Sequence, residues 1–281
     1  MKDFLVFVDG SPLDEAHLAC AEALAVRFHA HLDAVVAIEL PPLSIAAVDP
    51  VAGVMMPFDD EARDAALKVS AGIQSSVEQR LKETPCAHAV SRVVEAREML
   101  GHEFAAAARI HDLFITSLPS KSAENRAIKS SFDAVLTDGC CAILGLPLDG
   151  SCNPAFERVT IAWNGSKEAS RAVAAAMPLI VQAREVVVLL VDQPLRRAGE
   201  DVRPGDDIVN HLNRHGVKAT LSRVTSADLS ISQAILTEVG RTKTQLLVIG
   251  AQADGGLLQW LQGSIARETF AASQIPLLIA H

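Results

Sequence analysis

Phe4-Leu5-Val6-Phe7-Val8-Asp9-Gly10-Ser11 returns in kind as Val159-Thr160-Ile161-Ala162-Trp163-Asn164-Gly165-Ser166. Each stretch is a short apolar run closed by Asp or Asn, Gly and Ser, and each leads into an Ala-rich segment. A repeat at this scale sets the architecture before any single residue does. A short apolar run bounded by turn formers reads as a strand buried on both faces, the kind found in parallel sheets. In the first copy, Ser11-Pro12-Leu13-Asp14 predicts a helix capped by Ser11, with Pro12 in its first turn and an acid at its third position. That helix should run to about Phe28.

The correspondence extends along the chain. Second strands are expected at Leu32 to Ile38 and Val186 to Val191, and second helices at Glu61 to Lys82 and Asp207 to His215. Third strands fall at Ala89 to Val93 and Thr220 to Val224, followed by helices at Arg97 to Ala107 and Ile231 to Arg241. Fourth strands are Asp112 to Ser117 and Gln245 to Gly250, and last strands are Cys141 to Leu144 and Pro276 to Ala280. The spacing between copies falls from 155 residues at Asp9 and Asn164 to 133 at Ser117 and Gly250. The 22 extra residues of copy one fit the stretch from Pro41 to Asp60, which reads as a flap and carries Met55-Met56.

Strands alternating with helices give right-handed parallel crossovers. The expected fold is therefore α/β and Rossmann-like: two tandem five-stranded parallel-sheet domains with helices on both faces. Their expected limits are 1–149 and 155–281, joined by the turn-rich Asp149-Gly150-Ser151-Cys152-Asn153-Pro154. The last strands, near Ala142–Leu144 and Leu277–Ile279, are short and apolar, and pairing them within the chain would cover both edges. A further homodimer is left open.

Composition narrows the function classes. The chain has 281 residues, 49% of them hydrophobic, and no Tyr. Its net charge of −9 is uneven: 12 Lys and Arg against 22 Asp and Glu through residue 149, then 13 against 12. An acidic first half disfavours nucleic acid and anionic membranes as partners. Five irregularly spaced cysteines, with no CxxC, read as reduced and mostly buried thiols. The amino end lacks the length and flanks of a signal peptide or membrane span, so a cytoplasmic location is expected.

In such sheets ligands sit beyond the carboxyl ends of the strands, where strand order reverses. After the fourth strand of copy two comes Gly250-Ala251-Gln252-Ala253-Asp254-Gly255-Gly256, and further on Gly263-Ser264 opens the last helix. Glycines allow close backbone approach, and the free N–H groups of a helix start attract anions. This loop resembles the pattern of the universal stress protein family, Gly-two-Gly-nine-Gly-Ser/Thr, within the same five-stranded unit, a relative of the adenine-nucleotide α-hydrolase-like folds. The resemblance spans nearly the whole chain, twice. It implies a cytoplasmic stress-response protein, Mg-dependent ATP binding in this loop, and domains paired through their last strands. Residue by residue it implies Gly250, Gly263 and Ser264 at the phosphates, with Gln252 and Ala253 in the same loop. Val191, Ile249 and Ile265 fall at adenine- and ribose-lining positions, and Asn164 stands where the family has a carboxylate.

The departures matter. Ala253 replaces the second glycine, Asp254 stands where the family is often basic, and no Lys or Arg lies between Gly250 and Ser264. Copy one keeps Asp9 but puts Ser117, Ser120 and Ser130 at the three glycines, with Ser131 matching the last Ser. Its loop carries Lys121, Arg126 and Lys129. Copy one is accordingly read as structural and copy two as the ligand binder, for ATP or another small molecule, regulatory and at most weakly ATP-hydrolysing. The alternative is a ligand-free scaffold or interaction module. No nucleophile–base pair, pyrophosphatase loop or adenylyl-transfer motif is legible. His211 and His215 share a helix face at metal spacing but lack a third ligand, and Cys140-Cys141 reads as packing.

Overall fold

The computed structural model describes residues 1–40, 60–119, 126–150, 152–193, 205–251 and 265–281. The first half runs β1 (Asp3–Val8), α1 (Asp14–Phe28), β2 (His31–Glu39), α2 (Asp60–Leu81), β3 (His88–Glu95), α3 (Arg97–Ala108), β4 (Leu113–Ser117), α4 (Arg126–Asp138) and β5 (Ala142–Leu146). The second half repeats that order: β6 (Arg158–Ala162), α5 (Lys167–Ile180), β7 (Glu185–Val191), α6 (Asp206–Arg214), β8 (Ala219–Val224), α7 (Ile231–Arg241), β9 (Leu246–Gly250), α8 (Ile265–Ala272) and β10 (Leu277–Ala280). All ten strands form one sheet in the order β3-β2-β1-β4-β5-β10-β9-β6-β7-β8. No helix among the described residues is long and apolar enough to cross a membrane.

Every neighbouring pair is parallel except β5 with β10, which run antiparallel with Ile143 facing Ile279, Leu144 facing Leu278 and Gly145 facing Leu277. Each half ends in a strand buried along its whole length. Joining the two supplies backbone partners to both edges at once. The strands alternate between two apolar layers. Phe4, Val6 and Val8 of β1 pack with α1, α2, α5 and α6 on one face. Leu5 and Phe7 pack with α3, α4, α7 and α8 on the other. Two covered faces explain why β1 reads as an unbroken apolar run.

The halves differ at their first turns. Gly10 and Gly165 both have a positive φ, +84° and 78°, which accounts for the glycine in the repeated motif. In the second half Ser166 caps α5, accepting from Ala169 N at 3.1 Å. In the first half the cap expected at Ser11 does not form. The helix starts at Asp14, behind Leu13 in helical geometry, and the Ser11 hydroxyl is buried with no hydrogen-bond partner. The Asp14 carboxylate turns back instead and accepts from Asp9 N at 3.1 Å and Gly10 N at 2.7 Å. The earlier start of α5 brings its first turn onto the end of β9. A Cβ on Gly250 would overlap Ala169 N and the backbone of Glu168.

One arginine of the first half also bonds to the connection and to the second half. Arg27 of α1 donates to Gln182 Oε1 at 2.7 Å and to the carbonyls of Pro154 and Ala155 at 2.7 and 2.9 Å.

Two glycine substitutions test this packing. Gly250→Ala should cost roughly 1–3 kcal/mol, because the overlap is with backbone that no rotamer change relieves. Gly240→Ala in α7, where a new Cβ meets nothing within 4 Å, should stabilise by roughly 0.5–1 kcal/mol. Urea unfolding of both variants measures the difference. Equal effects would contradict the close approach of α5 to β9.

Candidate functional site

Strand order reverses between β6 and β9, whose ends are in register with Ala162 facing Ile249. The residues just beyond them therefore share one crevice at the carboxyl edge of the sheet. Asn164 follows β6, and its Oδ1 accepts from Ser166 N at 3.0 Å, closing the turn into α5. Gly250 ends β9, and Val191 ends β7 on the other side of β6. Val191 and Ile249 are buried in the same apolar layer. Ile265 opens α8. Asn164, Val191, Ile249 and Gly250 are thus gathered at one edge, whereas Gln252, Ala253, Gly263 and Ser264 lie outside the described residues, as does Asp254.

The close approach of α5 places a helix N-terminus against Gly250. Such an end carries partial positive charge and favours anions. Two carboxylates stand nearby in sequence. Burial would raise the Glu168 carboxyl, but its own N–H, the Ser166 hydroxyl and the Lys167 ammonium outweigh burial and hold it below its usual value. Asp192, next after β7, is held low by the Ser226 hydroxyl and then by the Ser226 N–H, which donate at 2.5 and 2.9 Å. Charge at this edge is therefore mixed among the described residues, with the Lys167 ammonium beside the Glu168 and Asp192 carboxylates.

At the matching place in the first half, polar side chains beyond β1 and β4 bond to each other and to the backbone. His17 Nδ1 faces the Phe7 carbonyl oxygen at 3.1 Å and therefore donates to it. Its Nε2 is then an acceptor and takes the Ser117 hydroxyl at 2.6 Å. Burial pulls the His17 pKa down to about 4, consistent with a neutral ring. Burial pushes Asp14 the other way, to about 6, against the backbone N–H bonds it accepts. The Ser117–His17 contact has the composition of a nucleophile and its base. Both residues are only 1% exposed, however, and they act as a hydrogen-bonded plug. In the repeat frame, Ala169, Ala172 and Gly250 stand where the first half has Asp14, His17 and Ser117. The pair spans 100 residues of sequence, and only His17 inside an Ala-rich apolar helix hinted at it.

The serines of copy one that align with the last Gly-Ser of copy two do not open a helix. Helix α4 already starts at Arg126, so Ser130 and Ser131 lie within it. Ser130 Oγ donates to the Arg97 carbonyl at 3.1 Å, and Lys129 pairs with Asp133. Ser120 and Lys121 lie outside the described residues, as does the stretch 41–59 that was read as a flap. His211 and His215 pack edge to face at 4.7 Å between ring centroids. No group of three His, Cys, Asp or Glu able to hold a metal occurs among the described residues. Burial pushes the Cys141 thiol up to about 12.

No protein-family model matches this sequence, and no curated protein matches it. Solved structures do match. A universal stress protein from Archaeoglobus fulgidus DSM 4304 superposes with a TM-score of 0.75 at 17% identity, covering 99% of this chain and 95% of that one. A functionally unknown protein from Pseudomonas aeruginosa PAO1 gives 0.61 at 15% identity over 100% and 92%. At such identities the likeness concerns the backbone, and the chain has, along nearly all of its length, the fold of that universal stress protein.

Proposed function

We infer that the chain is a stress-response protein of the universal stress type, located in the cytoplasm, whose second half binds ATP or another small adenine-bearing ligand. Its role is regulatory, with at most weak ATP hydrolysis. The observation that carries this reading is the asymmetry of the two crevices. In the first, His17 and Ser117 are buried against each other and Asp14 folds back onto its own turn, whereas small residues and a helix N-terminus border the second. Val191 and Ile249 would flank the base, Asn164 the ribose or phosphates, and Gly263 and Ser264 the phosphates. Mg²⁺ would offset the nearby carboxylates. The first half serves as a fixed structural partner. One observation favours a second reading, a ligand-free scaffold: the packing of α5 on β9 is by itself enough to require Gly250.

Calorimetry with Mg-ATP separates the two. Wild type should bind, Gly263→Val should weaken binding at least about tenfold, a loss of roughly 1.4 kcal/mol, and Ser130→Ala should bind as wild type does. The opposite pattern would move the site to the first half. Absence of heat at millimolar nucleotide would leave the scaffold reading in its place.

The plug carries its own pH signature. The folded pKa of His17, about 4, lies below its ordinary 6.5. Its contribution to stability is therefore present above pH 6.5 and is lost as pH falls towards 4. Asp14 has the opposite sign: its folded pKa of about 6 lies above 3.8, so its contribution is present below 3.8 and lost as pH rises through 6. Urea unfolding between pH 7 and pH 4 should show wild type losing on the order of 3 kcal/mol relative to His17→Gln. Against Asp14→Asn, the trend should reverse. A pH-independent difference for both variants would contradict the plug.

A further inference from the structure

The connection between the halves runs along helix α1 and touches it at three successive points. Gly150 backs onto Ala16, where an added Cβ would come within 2.8 Å of the Ala16 Cβ. Cys152 Sγ lies 2.7 Å from Cys20 Sγ, across 132 residues of sequence. Pro154 and Ala155 offer their carbonyls to Arg27. The two outer anchors hold the middle one in place, so the thiols face each other without large backbone movement. Cys20 is 2% exposed, whereas Cys152 is only partly buried. Nothing in the nucleotide-site reading uses either thiol.

We propose that Cys20 and Cys152 are an oxidative modification site, at which a hydroperoxide converts the two thiols into a disulfide that fastens the connection onto α1. Cys152, the more accessible, reacts first. Its thiolate attacks the peroxide, an S–O bond forms as the O–O bond breaks, and the departing oxygen takes up a proton to leave as water or an alcohol. The Cys20 sulfur then attacks the Cys152 sulfenic sulfur. An S–S bond forms, the S–O bond breaks, and the hydroxyl departs as water with the Cys20 proton. Two thiols are oxidised by two electrons and one hydroperoxide is reduced. The order of events suits the environments. The hydrogen bond with Cys152 and burial both raise the Cys20 thiol well above its usual value, so Cys20 stays protonated until the sulfenic acid is presented to it.

The test uses the full chain, treated with hydrogen peroxide, alkylated, and digested without reductant. The expected product is a peptide pair joined through Cys20 and Cys152, lighter by two hydrogens and released by dithiothreitol. Oxidised wild type should also melt at a higher temperature than reduced wild type. Cys20→Ala should give no cross-link and a Cys152 sulfenic acid that dimedone traps. Cys152→Ala should give neither product, and it keeps the test usable if the buried substitution at 20 unfolds the protein. A folded, oxidised wild type that lacks the Cys20–Cys152 peptide, joins other cysteines, or stops at a Cys152 sulfinic acid would overturn the proposal.

Discussion

The antiparallel pairing of β5 with β10 is the contact on which the rest of the molecule depends. Each half alone would end in a strand whose side chains are fully buried but whose backbone donors and acceptors have no neighbour on one side. An unpaired apolar edge of that kind invites association with other chains. Because the two strands share one chain, they meet without the entropic cost of bringing two molecules together. Everything lateral to them follows. The ten-strand sheet places α1, α2, α5 and α6 on one face and the other four helices opposite, and it leaves both crevices on carboxyl edges.

Within that shared frame the crevices solve the same local problem with different chemistry. A turn containing a left-handed glycine leaves amide donors without partners. The second half satisfies its helix start with Asn164 and Ser166 and keeps a small residue at 250. The first half puts Asp9 where Asn164 stands, adds Asp14, and buries His17 against Ser117. The price of that plug is two ionisable groups moved from their ordinary pKa values in opposite senses. Side chains that satisfy their own backbone in this way leave less for a ligand to do.

Much of this frame was legible in the sequence because it rests on local patterns. Continuous apolar runs marked β1 and β6, and Ser230 with Gln233 forms a capping box at the start of α7, whose limits were read as they stand. The misreadings have a common cause. Ser11 looked like a cap because its neighbours suit a helix start, but the helix begins later and Asp14 N donates to the Ser11 carbonyl oxygen instead of its hydroxyl. Ser130 and Ser131 looked like a loop end because alignment placed them there, yet α4 begins four residues earlier, which buries Ser131 and bonds Ser130 to the Arg97 carbonyl of α3. Asn164 and Gly250 were singled out at the ends of strands, and Val191 and Ile249 through the family resemblance; the four fall at one edge of the sheet. The His17–Ser117, Cys20–Cys152 and Arg27 contacts join residues about 100 or more positions apart, and no local pattern announces them.

The division of labour between the halves is the central claim, and a crystal structure of the chain grown with Mg-ATP tests it most directly. The account predicts nucleotide density beside Asn164, Val191 and Gly250, with the His17–Ser117 hydrogen bond intact and the first crevice empty of ligand. Nucleotide in the first half, with His17 swung away from Ser117, would contradict it.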